Sequence, residues 1–266
     1  MPIQLSSDDL STLTTAKQAL ENPGLAARVT DLIGTPIEKG FELLPEKWRG
    51  SVGAATNRAL SGALSVALRT VDRKGTAIPN DGWHKLAAGT LGGVAGAFGL
   101  VALPIELPIT TAVMLRSIAE IARSEGEDLD DPVVGLACIE VFALGGGSSD
   151  DDAAESGYFV TRALLARSIT EAAEFIAERG VIEESAPAIV RFIAAVASRF
   201  GITVSEKAAA MAVPIVGAAG GALINALFMD HFQDMAHGHF AIRRLERKYG
   251  QEAVRITYER IGLARE

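Results

Sequence analysis

Three of the four histidines, His231, His237 and His239, fall within nine residues of one another, with Asp230 and Asp234 among them. On an ideal helix, at about 100° per residue, Asp230, Asp234 and His237 share one face within roughly 60°. Phe228, Phe232, Met235 and His239 gather on the opposite, apolar side. A carboxylate and a histidine at i and i+3 is a spacing with which bundle helices hold divalent metals. Asp230, Asp234 and His237 are therefore the candidate ligands of a divalent metal. Glu106, between the prolines of LPIELP, is a fourth from elsewhere in the chain. Glu120 and Glu140 are further carboxylates on helical stretches. Such a site would serve a metal-dependent enzyme, a hydrolase by class. The plainer reading makes the same residues the solvated face of an amphipathic helix, with His239 hydrogen-bonded inside.

Glu106 has readings of its own. Its carboxylate could be buried against a cation such as Arg116, or carry a raised pKa and move protons. It could also cap a helix that starts after Pro108, where the N-terminal dipole favours negative charge. Other chemistry is missing from the pattern. There is no GxxxxGK[ST], no G-x-S-x-G and no HExxH, and the glycines follow no strand-like run. Apart from a divalent metal, no cofactor is expected. Cys138 is the only cysteine and reads as a small buried hydrophobe, which excludes an internal disulfide.

The elements that would carry these residues are helices. Apolar residues are 48% of the 266, much of that alanine, and aromatics only 6%, while alternating β-branched runs are scarce. Val52, Ala55, Ala59, Leu60, Ala63 and Leu64 recur at three and four residues, a single apolar stripe. Two runs carry no charge at all. Leu86 to Ile105 is about 20 residues, long enough to cross a hydrocarbon core, and is lined by Gly89, Gly93 and Gly96. Ala208 to Met229 is the second run and holds Gly217 and Gly221. Small residues four apart let another helix approach until backbones touch. The expectation is an all-α multi-helix bundle around these two glycine-rich helices, buried in protein or in lipid. Residues 1–44 read as an N-terminal helical extension and 45–266 as the main domain.

The net charge of −8 argues against nucleic acid as a partner. The one dense basic stretch is Arg243, Arg244, Arg247 and Lys248, which suits a solvated helix surface or anionic lipid headgroups. The first residues, MPIQLSSDDLST, hold no basic n-region or apolar h-region, so the expected location is cytoplasmic, at the membrane if the uncharged helices meet lipid.

Two segments, LPIELPITTAVMLRSIAEIARSEGEDLDDP and NALFMDHFQDMAHGHFAIRRLERKYG, resemble the EcsC family of bacterial proteins. The similarity runs from about Pro45 to the end. It implies an all-helical cytoplasmic protein working at the membrane, with a link to transport or secretion, and brings no catalytic residues with it. The reading that follows is a non-enzymatic accessory protein whose partner is membrane lipid or a membrane protein. The metal-dependent hydrolase, and a soluble carrier of an apolar ligand, stand as alternatives.

Overall fold

The apolar stripe at residues 52–64 buries Val52, Ala55, Ala59, Leu60, Ala63 and Leu64, one continuous face of a helix. The same 3.6-residue logic holds through a computed structural model that describes residues 5–21, 24–34, 36–44, 46–69, 103–145, 157–179, 186–213 and 217–261. Among the described residues there are ten helices and no strand. They are α1 (Ser7–Glu21), α2 (Leu25–Ile33), α3 (Ile37–Leu43), α4 (Glu46–Arg69) and α5 (Leu103–Ser124). There follow α6 (Pro132–Leu144), α7 (Gly157–Arg179), α8 (Pro187–Ala212), α9 (Gly217–Tyr249) and α10 (Gln251–Arg260).

Side-chain pairs set the directions. Glu106 meets Asn225, Ser117 meets Gln233, and Glu127 meets Arg243, so α5 and α9 run parallel. Phe200 lies against Phe232, whereas Lys207 lies over the Phe228 ring, so α8 runs antiparallel to α9. Phe142 of α6 stands 4.9 Å from Phe200 and 5.3 Å from Phe232, ring centre to ring centre. With Phe228 these rings form the centre of the main core, which α4, α5 and α7 close. A second, smaller core gathers Leu13 and Ala16 of α1 with Tyr158, Ile242, Leu245, Val254 and Tyr258.

Two helix boundaries differ from the expected ones. Leu103 to Ser124 is one helix with Pro108 inside it, so Glu106 lies in its first turn and does not precede a helix that starts after Pro108. Pro104, at the second position, removes no intrahelical bond, whereas Pro108, at the sixth, leaves the Pro104 carbonyl without its i+4 donor. The second uncharged run is not one helix. It forms the end of α8 and the start of α9, and Val213, the residue before Pro214, is extended (φ −72°, ψ 120°), as a residue before proline prefers.

Two glycines outside the uncharged runs make close backbone approaches. A Cβ on Gly40 would meet the Ala209 backbone, its carbonyl carbon at 2.7 Å, so α3 lies directly on α8. A Cβ on Gly238 would come within 3.0 Å of the Ala16 carbonyl oxygen, where α1 crosses α9. Gly221 is buried in α9, and Gly217 opens that helix. Gly89, Gly93 and Gly96 lie outside the described residues, as does most of the first uncharged run.

Candidate functional site

Two charged residues that border the uncharged runs meet at one end of the bundle. Glu106 lies at the end of the first run and Lys207 immediately before the second. Lys207 Nζ donates to Glu106 Oε1 at 2.7 Å, with Lys207 fully buried and Glu106 4% exposed. Asn225 Nδ2 donates to the same oxygen at 2.7 Å and Thr110 Oγ1 at 3.0 Å. Glu106 Oε2 has no hydrogen-bond partner among the described residues. Burial alone pushes the Glu106 carboxyl up. The Lys207 ammonium and the Asn225 and Thr110 donors more than offset it, leaving the pKa below its ordinary value. Burial also draws the Lys207 ammonium down, and Glu106 restores part of that. The Phe228 ring, 4.6 Å from Nζ, adds a cation–π contact.

The outer surface beside this buried pair is apolar. Ile105 is 73% exposed and Ile109 46%, on the side of α5 away from Glu106, Leu107 and Thr110. Leu223 on the parallel α9 is 50% exposed, and Ala222, Ala226 and Leu227 are partly exposed around it. Charge inside and hydrocarbon outside inverts the usual arrangement of a helix in water. Reading the bordering residues of the two runs as a pair, rather than Glu106 alone, would have pointed to Lys207.

The expected metal ligands are placed apart from that pair. Arg28 of α2 reaches Asp230 Oδ2 at 3.2 Å and Asp234 Oδ2 at 2.8 Å, a guanidinium across two carboxylates one turn apart. Glu106 shares neither contact. His237 lies half-buried in a cleft between α1 and α9, lined also by Ser11, Thr15 and Glu125. Among the described residues no group of three or more His, Cys, Asp or Glu side chains is positioned around a metal site.

The basic stretch is engaged within the molecule. Arg243 donates to Glu127 from Nε and Nη2, Arg247 pairs with the same carboxylate, and Arg244 Nε donates to Glu125 at 2.6 Å. Lys248 Nζ and the Tyr249 hydroxyl both donate to Asp9 Oδ2 at 2.7 Å. Burial pushes the Glu127 carboxyl up, and Arg243 and Arg247 bring it below its ordinary value. Lys248, Tyr249 and Ser6 hold Asp9 well below the usual carboxylate range. Asp8, Asp128, Asp130 and Asp131 are exposed in the same segments, so carboxylates outnumber the four cations. The acidic turn of one EcsC-like segment thus meets the basic stretch of the other.

A third buried cluster joins α6, α7 and α9. The Tyr158 hydroxyl lies 3.1 Å from His239 Nδ1, and His239 Nε2 is 3.8 Å from Glu140 Oε2. Arg162 makes a bidentate pair with Glu246 at 2.7 and 3.1 Å. Burial pushes the Glu140 carboxyl up to about 7 against the pull of Arg162 and Arg243. Burial, with the same two arginines, holds His239 well below its ordinary value. Arg162 and Glu246 also line a cleft of about 500 Å³ with Phe159, Gln251 and Arg255. Nothing brings the Tyr158–His239 pair to that surface, since Tyr158 and His239 are both buried.

A family model described as the EcsC protein family matches residues 7–245. The chain belongs to the EcsC family. The match begins at α1 and so takes in helices that lie before the two segments carrying the resemblance. No curated protein matches the chain, and no solved structure does.

Proposed function

We propose that this member of the EcsC family is a non-enzymatic accessory protein that works at the cytoplasmic face of the membrane, in transport or secretion. The observation that carries the reading is the inverted start of α5. There Ile105 and Ile109 face outward while Glu106 is turned inward onto Lys207. In water that exchange is unfavourable on both sides, because hydrocarbon stays wet and a charge is desolvated. Against lipid or an apolar membrane partner it is the favoured arrangement, since charges there turn to the bundle interior and pair.

Length and composition lend lesser support. Among the described residues α8 is long and apolar enough to cross a membrane, with mean hydropathy 1.5 over its most apolar window. Half of that window is buried in the protein and α8 packs on α3, α4, α6 and α7, so it serves as a core helix of the bundle. The basic stretch contributes less to this reading than its composition suggests. It is paired to Glu125, Glu127 and Asp9, and Arg243 lies 18 residues beyond Asn225 along α9, about 27 Å at 1.5 Å per residue.

The test is fractionation of the native protein without detergent, followed by flotation with liposomes. The proposal expects the protein in the membrane fraction and in the floated band. Full recovery in the supernatant, with no flotation on any liposome, contradicts it.

A further inference from the structure

We infer that the membrane contact is a shallow, one-sided wedge: the α5–α9 flank rests Ile105, Ile109, Leu223 and Leu227 among the acyl chains of a single leaflet, and anionic lipid is not required. The inference rests on the membrane reading above and goes further in naming the surface, its depth and its lipid.

The depth follows from where outward charges begin. On α5 the first exposed charge after Ile105 is Arg116, 11 residues on and about 16 Å along the axis. On α9 the first charge after Gly217 is Asp230, 13 residues and about 20 Å away. The α8 arm repeats the measure, with Arg199 13 residues before Ala212 and the intervening Glu206 and Lys207 turned largely inward. A leaflet of hydrocarbon is about 15 Å thick, half of a 30 Å core. Because α8 and α9 are antiparallel and joined through 213–216, the chain that enters this end also returns from it on the same side.

Among the described residues, the α5–α9 flank is the one fit to enter lipid. On the far side of α8 sits α3, held there by Gly40 on Ala209, and its Glu38, Lys39 and Glu42 are exposed. Those charges bar an upright insertion and leave the α5–α9 side as the face that meets hydrocarbon.

The lipid class follows from charge. Cations bordering the face are matched within the protein, Arg116 to Glu120 and Arg28 to Asp230 and Asp234. The net charge is −8, so an anionic surface repels the protein as a whole. Apolar insertion then drives binding, and it is insensitive to salt.

The experiment floats the full chain on neutral phosphatidylcholine vesicles and on vesicles containing phosphatidylglycerol, each at low and high salt. A polarity-sensitive dye is placed in turn at Ile109→Cys, Leu223→Cys and Glu42→Cys, Cys138 being buried away from the label. Quencher lipids are confined to the outer leaflet or the inner one. The expected result is binding to both vesicle types at both salts, with outer-leaflet quenching at positions 109 and 223 and none at 42. Ile109→Ser, an exposed change that spares the core, lowers partitioning by about tenfold. Binding only to phosphatidylglycerol and lost at high salt overturns the inference in favour of headgroup attraction. Quenching at 42, or from the inner leaflet, overturns the shallow wedge while leaving the membrane reading intact. Failure to bind any vesicle removes the membrane reading itself.

Discussion

Replacing Lys207 with methionine tests the buried pair formed by residues that border the two uncharged runs. Methionine keeps most of the aliphatic volume, so the change removes the ammonium and little else. Lys207 is fully buried and Glu106 4% exposed, so solvent does not screen the loss. Breaking a buried pair from one side costs about 3–5 kcal/mol, because the remaining charge is left uncompensated. Asn225 and Thr110 still donate to Glu106 Oε1, which places the expected loss near the lower bound, about 3 kcal/mol. For a chain of this length that is a fall of about 10 °C in the melting midpoint. The sign with pH follows as well. Without Lys207, burial governs the Glu106 carboxyl and raises its folded pKa above the unfolded one. The variant is then most stable at acid pH and loses stability as pH rises through that raised value, relative to the native protein. Adding Glu106→Gln removes the stranded charge and should recover most of the loss. Denaturant melts of the native chain, Lys207→Met and the double variant, at pH 5 and pH 8, give the comparison. A loss under about 1 kcal/mol, or a double variant no more stable than the single one, refutes the reasoning.

Other expected outcomes follow from single contacts. Glu140 keeps its proton in the folded state to about pH 7, against 4.5 unfolded. Its share of stability is full below pH 4.5 and lost as pH rises through about 7, about 3 kcal/mol in all. His239 acts in the opposite sense, its share being present above pH 6.5 and lost as pH falls. Glu140→Gln should therefore make stability climb more steeply with pH between 5 and 6.5 than in the native protein, read from urea melts across that range. Gly238→Ala should destabilise by about 1–3 kcal/mol, because the new Cβ meets the Ala16 carbonyl and Leu20, whereas Gly53→Ala, in open space on α4, should stabilise by about 0.5–1 kcal/mol. Equal effects on melting would remove the close-packing account of α1 on α9. Glu127→Gln leaves Arg243 and Arg247 without their shared carboxylate. Hydrogen exchange should quicken in the turn before α6 and at the end of α9, and unchanged exchange there would show the clamp to be energetically idle.

Much of the fold was legible because helical periodicity is a local property. The stripe in α4 follows from apolar spacing, whereas α6 is buried all round and its start is marked by Asp131, which accepts from the Val133 N–H, and by Pro132 at the first helical position. The division of the second uncharged run also had a local signal in Pro214, which hydrophobicity outweighed. Partnerships were less legible, because they join residues far apart in the chain. Glu106 lies 101 residues from Lys207, and Arg28 lies 202 from Asp230. Asp230 and Asp234 do share a helix face, as their spacing requires, but only the path of α2 brings Arg28 to it. The Gly40 and Gly238 crossings sit in segments with no repeated small-residue spacing, so nothing local singled them out.

The central claim is that hydrocarbon lies outside and charge inside at the end where α5, α8 and α9 meet, and that this end meets a membrane. The most direct measurement is liposome flotation of the native chain beside Ile105→Asp/Ile109→Asp, with the melting midpoint of each variant recorded. The account predicts that the native chain floats, and that the double aspartate variant stays in solution with an unchanged midpoint, since both side chains point away from the core. A native chain that never floats, or an aspartate variant that floats equally well, would contradict it.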